Sequence, residues 1–327
     1  MLERIRFFRE QVLQINENNF DEIALGIFRY QAAENPVYAG YLKQLGIAPE
    51  SVSGFEQIPF LPIRFFRSHQ VRTGKWHAET VFRSSGTTGA VTSVHQVDDA
   101  DYYRRHSLSI FNRFFGLVED INLIAVLPSY TERGDSSLVH MVDWLVRCSG
   151  SPVSGFFPPD PQVVSGQLER ARSSGRPTVV IGVTFALLDL AAAGIDFSGV
   201  TIIETGGMKG RRKEIIREEL HELLQAGHPS RICSEYGMTE LLSQAYAMDG
   251  RLFRTPPSMR VMFREINDPF SGSADRGQGI ILVADLANVH SCCFIETQDL
   301  GKGENGGFEV LGRVDHSDVR GCSLLSA

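Results

Sequence analysis

Six consecutive residues, Ser84-Ser85-Gly86-Thr87-Thr88-Gly89, carry the densest chemistry in the chain. Their two glycines let the backbone turn sharply and bring amide groups close to a ligand. Four hydroxyls add donors without bulk. Such a loop can wrap an anion, above all the phosphates of a nucleotide. It is not a Walker loop, because no Gly-Lys-Ser/Thr follows. The same composition also suits an ordinary Ser/Gly/Thr linker. Three further strings bear polar groups where a ligand could meet them. Ser234-Glu235-Tyr236-Gly237-Met238-Thr239-Glu240 follows one apolar run, and Gly206-Gly207-Met208 ends another. Open α/β sheets bind ligands at the carboxyl ends of their strands. Read alone, the Tyr-Gly-Met-Thr-Glu string is also a strand-to-helix turn capped by Thr. Thr297-Gln298-Asp299-Leu300 lies further on, with Gly312-Arg313-Val314-Asp315 after it. Lys209, Arg211, Arg212 and Lys213 form either a positive field near polyphosphate or a solvated helix start. The second reading puts them at the wrong end for the helix dipole.

Taken in order, these strings resemble the adenylate-forming (ANL, acyl-CoA synthetase-like) superfamily. The Ser84–Gly89 string with Phe82 before it and Ala90-Val91-Thr92 after it matches the family's phosphate loop. Many members carry Pro-Lys at Val91-Thr92, while the phenylacetate ligase branch has Thr there. On this resemblance Tyr236 can lie against a flat purine, and Gly206 and Gly207 pass beside the adenine and acyl group. Thr239 can bond a phosphate. Glu240 can hold Mg2+ against phosphate oxygens. Asp299 is the ribose candidate, since a carboxylate accepts two hydroxyl bonds at once, and Arg313 is a candidate for ribose or phosphate contact. Gln298 replaces the family's usual Gly.

Within the superfamily the match is to the acyl-protein synthetase (LuxE-type) family, on FRSSGTTG, ETGGMKGRRKE, SEYGMTEL and EVLGRVDHSDVRGC. What this resemblance implies is a ligase using ATP and Mg2+. It activates a fatty acid as acyl-AMP and then transfers it to a cysteine thiol, feeding an acyl reductase partner. The family's acceptor lies near the C-terminus, where Cys322 fits, so Cys322, Thr88 and Glu240 are the catalytic candidates. Lys209, Arg313 and Arg320 are the candidates for a cation at the reacting carboxylate, and Arg320 and His316 for lowering the Cys322 pKa. The implied fold is α/β: an ANL-type large domain with mainly parallel sheets flanked by helices, a small C-terminal β subdomain and no separate C-terminal lid domain. Two other readings compete. One is an acyl- or aryl-CoA ligase of the phenylacetate type, with coenzyme A as the thiol. The other is a nucleotide-binding scaffold that has lost its chemistry.

The elements that must position these residues are legible as apolar patterns. Residues 121–128, 178–183, 200–207 and 231–237 read as buried strands, with helices over 136–148, to about 193, and over 213–225 between them. That alternation argues for a parallel sheet with helices on both faces. Residues 101–115 read as a helix. Residues 20–45 are helical and broken at Pro36, and the stretch from Ile58 with two prolines is extended chain or a turn. After about residue 250, short strands separated by Gly and Asn clusters suggest an antiparallel part. The expected organisation is residues 1–55 as an N-terminal helical segment and 56–250 as the α/β core. Residues 251–315 follow as a small β subdomain of the same domain, and 316–327 as a hinge-like tail.

Composition sets the bounds. The chain has 327 residues, a net charge of −7, 43% apolar and 22% charged residues. That core content excludes a disordered chain, and the absence of basic excess argues against a nucleic-acid partner. The longest apolar stretch, residues 179–195, is interrupted by Thr184 and Asp189, so no integral membrane segment is expected. Charges within the first ten residues argue against a secretory signal, and the default localisation is the cytoplasm. A homo-oligomer is compatible with all of this. Five cysteines without a CxxC pair argue against a structural zinc site or a disulfide framework. The Phe-rich segments around Phe60, Phe65-Phe66, Phe111, Phe114-Phe115 and Phe156-Phe157 suit core at least as well as an acyl pocket.

Overall fold

A computed structural model describes residues 2–84, 92–127, 134–206, 217–225, 230–248, 250–266, 273–304 and 306–314. The chain starts with three helices, α1 (Leu2–Leu13), α2 (Phe20–Glu34) and α3 (Pro36–Gln44). Pro36 opens α3 rather than simply breaking a helix. It sits at a first-turn position where its missing N–H costs nothing, and the Asn35 side chain accepts from Val37 and Tyr38 N–H at 3.1 Å each. The proline-rich stretch then gives a two-residue strand, β1 (Leu61–Pro62), and the short helix α4 (Phe65–Ser68). A hairpin, β2 (Thr80–Arg83) with β3 (Val94–Val97), leads into α5 (Ala100–Phe115), capped by Asp99.

The α/β alternation follows as expected. β4 (Asn122–Val126), α6 (Ser137–Ser149), β5 (Gly155–Phe156), α7 (Pro161–Ser174) and β6 (Thr178–Val183) come in turn. They lead into α8 (Thr184–Ala192), β7 (Thr201–Thr205), α9 (Arg217–Gln225) and β8 (Arg231–Tyr236). Their strands pair in parallel in the order β5-β4-β6-β7-β8. β4 and β6 are buried at every position, as expected of strands covered on both faces. The helix α7 answers no expectation above. Its apolar residues are few, and Asp160 with Pro161 at the first turn sets its start.

At β8 the pairing changes sign. β9 (Ala245–Ala247) runs antiparallel to β8, and β10 (Phe253–Arg254) antiparallel to β9. β11 (Met259–Arg264), β12 (Gly277–Asp285), β13 (Phe294–Glu304) and β14 (Gly307–Arg313) complete one continuous sheet through β14-β10. β1 adds to β13 in parallel. The sheet is therefore parallel in its first half and antiparallel in its second.

Two apolar cores follow that division. One joins α5 to α8 with the parallel strands, around Phe111, Ile124, Ile181 and Ile203. The other joins the N-terminal helices to the antiparallel strands, around Phe28, Tyr38, Phe294 and Phe308. Of the Phe segments, Phe60, Phe66 and Phe111 are buried in these cores, and Phe65, Phe114, Phe115, Phe156 and Phe157 pack against them partly exposed. Among the described residues no helix is long and apolar enough to cross a membrane.

Candidate functional site

The candidate residues that the structure describes gather where the two halves of the sheet meet. The phosphate-loop candidate closes at its base. Ser84 N–H donates to the Ser93 carbonyl at 3.1 Å, and Ser93 N–H donates to Ser84 Oγ at 2.9 Å. Ser84 is thus the clasp of the loop. Ser85, Gly86, Thr87, Thr88 and Gly89 lie outside the described residues, as do Gly207, Lys209, Arg211, Arg212, Lys213, His316, Arg320 and Cys322.

Glu240 stands beside that clasp. It is buried, and its carboxylate is hydrogen-bonded by Ser93. Burial raises its pKa, while the Ser93 bond, its own backbone N–H and the positive charges of Arg313 and Arg67 oppose the rise. Ser93 therefore links the loop base to Glu240. Thr239 is held from behind. The buried His95 donates from Nδ1 to the Thr239 carbonyl at 2.8 Å, which fixes the ring's tautomer. Burial holds the His95 imidazole down at about 4, so it is neutral at physiological pH.

A second cluster lies across the antiparallel strands. The Tyr236 hydroxyl donates to Asp299 Oδ2 at 3.0 Å, and Arg313 Nε stands 3.6 Å from Asp299 Oδ1. Asp299 and Arg313 are cross-strand partners on β13 and β14, so the sheet register brings them together. Burial raises the Asp299 pKa, against Arg313 and the Tyr236 bond. The Arg313 side chain is 68% exposed, so its guanidinium remains open to an incoming anion. Arg313 pairs with Asp299, and its positive charge also opposes the rise in the Glu240 pKa. The Tyr236 ring differs from a surface waiting for a purine. It is 8% exposed and enclosed by Phe253 and Phe308. What it contributes is the hydroxyl that orients Asp299.

The glycines have identifiable tasks. Gly206 ends β7 at φ 80°, a turn that suits glycine. Gly237 leaves the space in which the Glu235 carboxylate sits, since a Cβ there would collide with Glu235 Oε1. Thr205 Oγ1 donates to Glu235 Oε2, tying the ends of β7 and β8 together. Burial pushes the Glu235 carboxyl up to about 7, the Thr205 bond opposes this, and nearby Glu204 adds to the rise.

Arg67, Ser93 and Glu235 belong to this neighbourhood and were missed in the sequence. Glu235 was at least inside a quoted string. Arg67 and Ser93 carried no signal, because their relevance depends on contacts far along the chain. His140 is a half-buried residue of α6. It stacks on Tyr103, and Arg104 Nε lies 3.1 Å from its Nε2. Cys233, Cys292 and Cys293 are buried and Cys148 is half-buried. Burial pushes the Cys292 thiol up to about 12 and raises those of Cys293 and Cys148.

The set suits a nucleotide with its metal. One carboxylate with hydroxyl neighbours fits Mg2+, which takes oxygen ligands and commonly rides on phosphates with few protein carboxylates. Among the described residues no cluster of His, Cys, Asp and Glu is placed to hold a metal ion alone.

No protein-family model matches the chain, and no curated protein matches its sequence. Solved structures do match in fold. A 2-hydroxyisobutyryl-CoA ligase in complex with its acyl-AMP and CoA aligns with a TM-score of 0.64 at 13% identity, over 92% of this chain and 69% of that one. An ATP-bound RpMatB–BxBclM chimera aligns at 0.52 and 20% identity, over 74% and 50%. The O-succinylbenzoate coenzyme A synthetase of Bacillus subtilis, bound to AMP, aligns at 0.51 and 19%, over 74% and 50%. The chain spans half the length of the last two. The chain shares the mixed α/β fold of these structures, as the sequence motifs implied.

Proposed function

We propose that the chain is an adenylate-forming acyl-protein synthetase that uses ATP and Mg2+ to activate a fatty acid. One observation carries the reading. The described ends of the first loop, Ser84 and Ser93, lie beside Glu240 of the second motif, and Tyr236 of that motif meets Asp299, whose cross-strand partner is Arg313. In the first step a carboxylate oxygen bonds to the α-phosphorus of ATP as the bond to pyrophosphate breaks, giving acyl-AMP. Arg313, Arg67 and the loop groups face the charge that spreads over the phosphate oxygens. Asp299, oriented by Tyr236, accepts the ribose hydroxyls. Glu240 would hold Mg2+, which when bound would neutralise phosphate charge. In the second step the Cys322 thiolate, its proton given to solvent, attacks the acyl carbonyl. The bond to AMP breaks and a thioester remains for a partner reductase. None of the described cysteines suits that step, because three are buried and burial raises the thiol pKa of Cys148, Cys292 and Cys293.

The test is fatty-acid-dependent exchange of pyrophosphate into ATP, followed by labelling with radioactive acid. The expected label is hydroxylamine-labile and absent from Cys322→Ser. No exchange with any chain length rules out an adenylating enzyme and leaves the scaffold reading. A second enzymatic reading rests on the 2-hydroxyisobutyryl-CoA ligase, whose structure holds CoA beside the acyl adenylate. It expects CoA-dependent AMP release that is unchanged in Cys322→Ser.

A further inference from the structure

The loop carrying Thr239 and Glu240 has no ladder of its own. Between the end of β8 and the start of β9, residues 237–244 hold a turn at 239–240 and no helix or strand, with one local backbone bond from Leu241 N–H to the Met238 carbonyl at 3.1 Å. Four of its backbone groups are met by side chains from elsewhere in the chain. His95 takes the Thr239 carbonyl. Asn288 Nδ2 donates to the Glu240 carbonyl at 2.7 Å. Asp285 Oδ2 accepts from Leu242 N–H at 2.7 Å and Ser243 N–H at 2.9 Å. Asp285 Oδ1 accepts from Ser243 Oγ at 2.7 Å, and His106 Nε2 then donates to that same hydroxyl at 2.8 Å.

Asp285 and Asn288 belong to one turn at the end of β12, and neither has any exposed surface. Asn288 N–H donates to the Asp285 carbonyl at 3.0 Å, and Ala287 N–H to Asp285 Oδ1 at 3.2 Å. The turn is braced on its other side. Gln31 Nε2 donates to the carbonyls of Asn288, Val289 and Ser291 at 3.1 to 3.3 Å, and Gln31 Oε1 accepts from Cys293 N–H at 2.9 Å. Asn288 Oδ1 has no partner among the described residues. The side chain's one hydrogen bond goes to the residue whose carboxylate meets Ser93.

We propose that Asn288 and Asp285 are positioning residues, a buried template that fixes the backbone of residues 239–243 and thereby aims the Glu240 carboxylate at the base of the 84–93 loop. The inference rests on the reading of Glu240 as the carboxylate that faces phosphate and Mg2+. Buried donors and acceptors left unmet are costly, so a loop held by side chains keeps its shape only while each of those side chains is present.

Asn288→Ala and the isosteric Asn288→Asp, which lacks the donor, test it by two readouts in the full chain. The first is amide hydrogen exchange without nucleotide. Residues 239–243 exchange at least about 10-fold faster in the variants, while residues 277–284 of β12 are unchanged. The second is pyrophosphate–ATP exchange. Each variant loses about 10- to 100-fold in kcat with the KM for the acid unchanged. In a Glu240→Gln background the Asn288 change adds no further loss, as expected when one residue acts through the other. Unchanged exchange at 239–243, or losses that multiply in the double variant, overturn the proposal. If the wild-type protein shows no pyrophosphate exchange, the adenylation reading fails, and the hydrogen-exchange arm still decides the template.

Discussion

The two halves of the sheet differ in the contacts at their centres, although the parallel half has its own buried polar knot at Asn122, which donates to Ser174 Oγ and Thr178 Oγ1 and accepts from Ser151 Oγ. The parallel half is covered on both faces and filled with aliphatic side chains, so β4 and β6 read Asn-Leu-Ile-Ala-Val and Thr-Val-Val-Ile-Gly-Val with every position buried. The antiparallel half packs on α1 to α3 through aromatic contacts such as Phe28–Phe294 and Tyr38–Phe294. It is also stitched by buried polar groups. Gln31, Asn35 and Thr73 all donate to the carbonyls around Ser291. An apolar core tolerates exchange of one aliphatic for another. A polar stitch does not, because the partner it leaves behind is buried. The candidate site lies on the boundary. Both halves contribute candidate ligand groups, Glu240 after β8 and Asp299 and Arg313 on β13 and β14, and each half holds groups that aim the other's.

That contrast can be broken by one pair of substitutions. Ile181→Ala, at the centre of β6 and fully buried, removes three carbons from a packed core and is expected to cost about 4 kcal/mol. Ile181→Val is expected to cost only about 1 kcal/mol. In the polar half Gln31→Leu keeps the volume and adds apolar surface, yet it strands Cys293 N–H and the Val289 carbonyl and takes one donor from the Asn288 and Ser291 carbonyls. Its expected cost is about 3 kcal/mol. Urea unfolding measures both. If Gln31→Leu proves as mild as Ile181→Val, the polar stitch is ornamental and the halves do not differ as argued.

The same contrast explains what the sequence could reveal. Continuous Val/Ile/Leu runs made β4, β6 and β7 readable, and the hydroxyl and glycine spacing made the loop after β2 readable. Glu240, Asp299 and Arg313 were reached through motifs, and the register of β13 on β14 shows why the last two belong together. Asp285, Asn288 and Gln31 were not reachable. An Asn in a loop looks like a turn residue, and only a partner 48 positions away shows that it holds Glu240. Gln31, 257 positions from Asn288, looks like any polar residue of an amphipathic helix. Pro36 was read as a break because proline stops helices, but an adjacent Asn turns the same residue into a start.

Glu235 sharpens the comparison at the boundary through pH. Its pKa rises from an ordinary 4.5 to about 7, chiefly by burial. A carboxyl with a raised folded-state pKa binds more protons folded than unfolded between those values. Stability is therefore greatest below about 4.5 and falls as pH climbs to about 7. The expected contribution is about 2 kcal/mol once partial exposure is allowed for. Glu235→Gln keeps an acceptor for Thr205 and removes the titration. Its unfolding free energy should lose this slope between pH 5 and 7 and exceed the wild type at pH 8. Equal slopes in the two proteins place the titration elsewhere.

Tyr236→Phe is the smallest change and the most local. The ring keeps its place between Phe253 and Phe308, so the apolar half of the residue's role survives. The lost hydroxyl leaves Asp299 with Arg313 alone, and without the bond that helps hold its pKa down. The expected stability loss is about 1 kcal/mol, the net worth of one hydrogen bond. A carboxylate free to turn presents its two oxygens to ribose less often, so nucleotide binding should weaken about 5-fold, a similar energy. Calorimetric titration with AMP separates the outcomes. A weaker affinity beside that modest stability loss assigns the hydroxyl to orienting Asp299. The reverse, a loss of stability with AMP binding intact, makes Tyr236 part of the antiparallel core and nothing more.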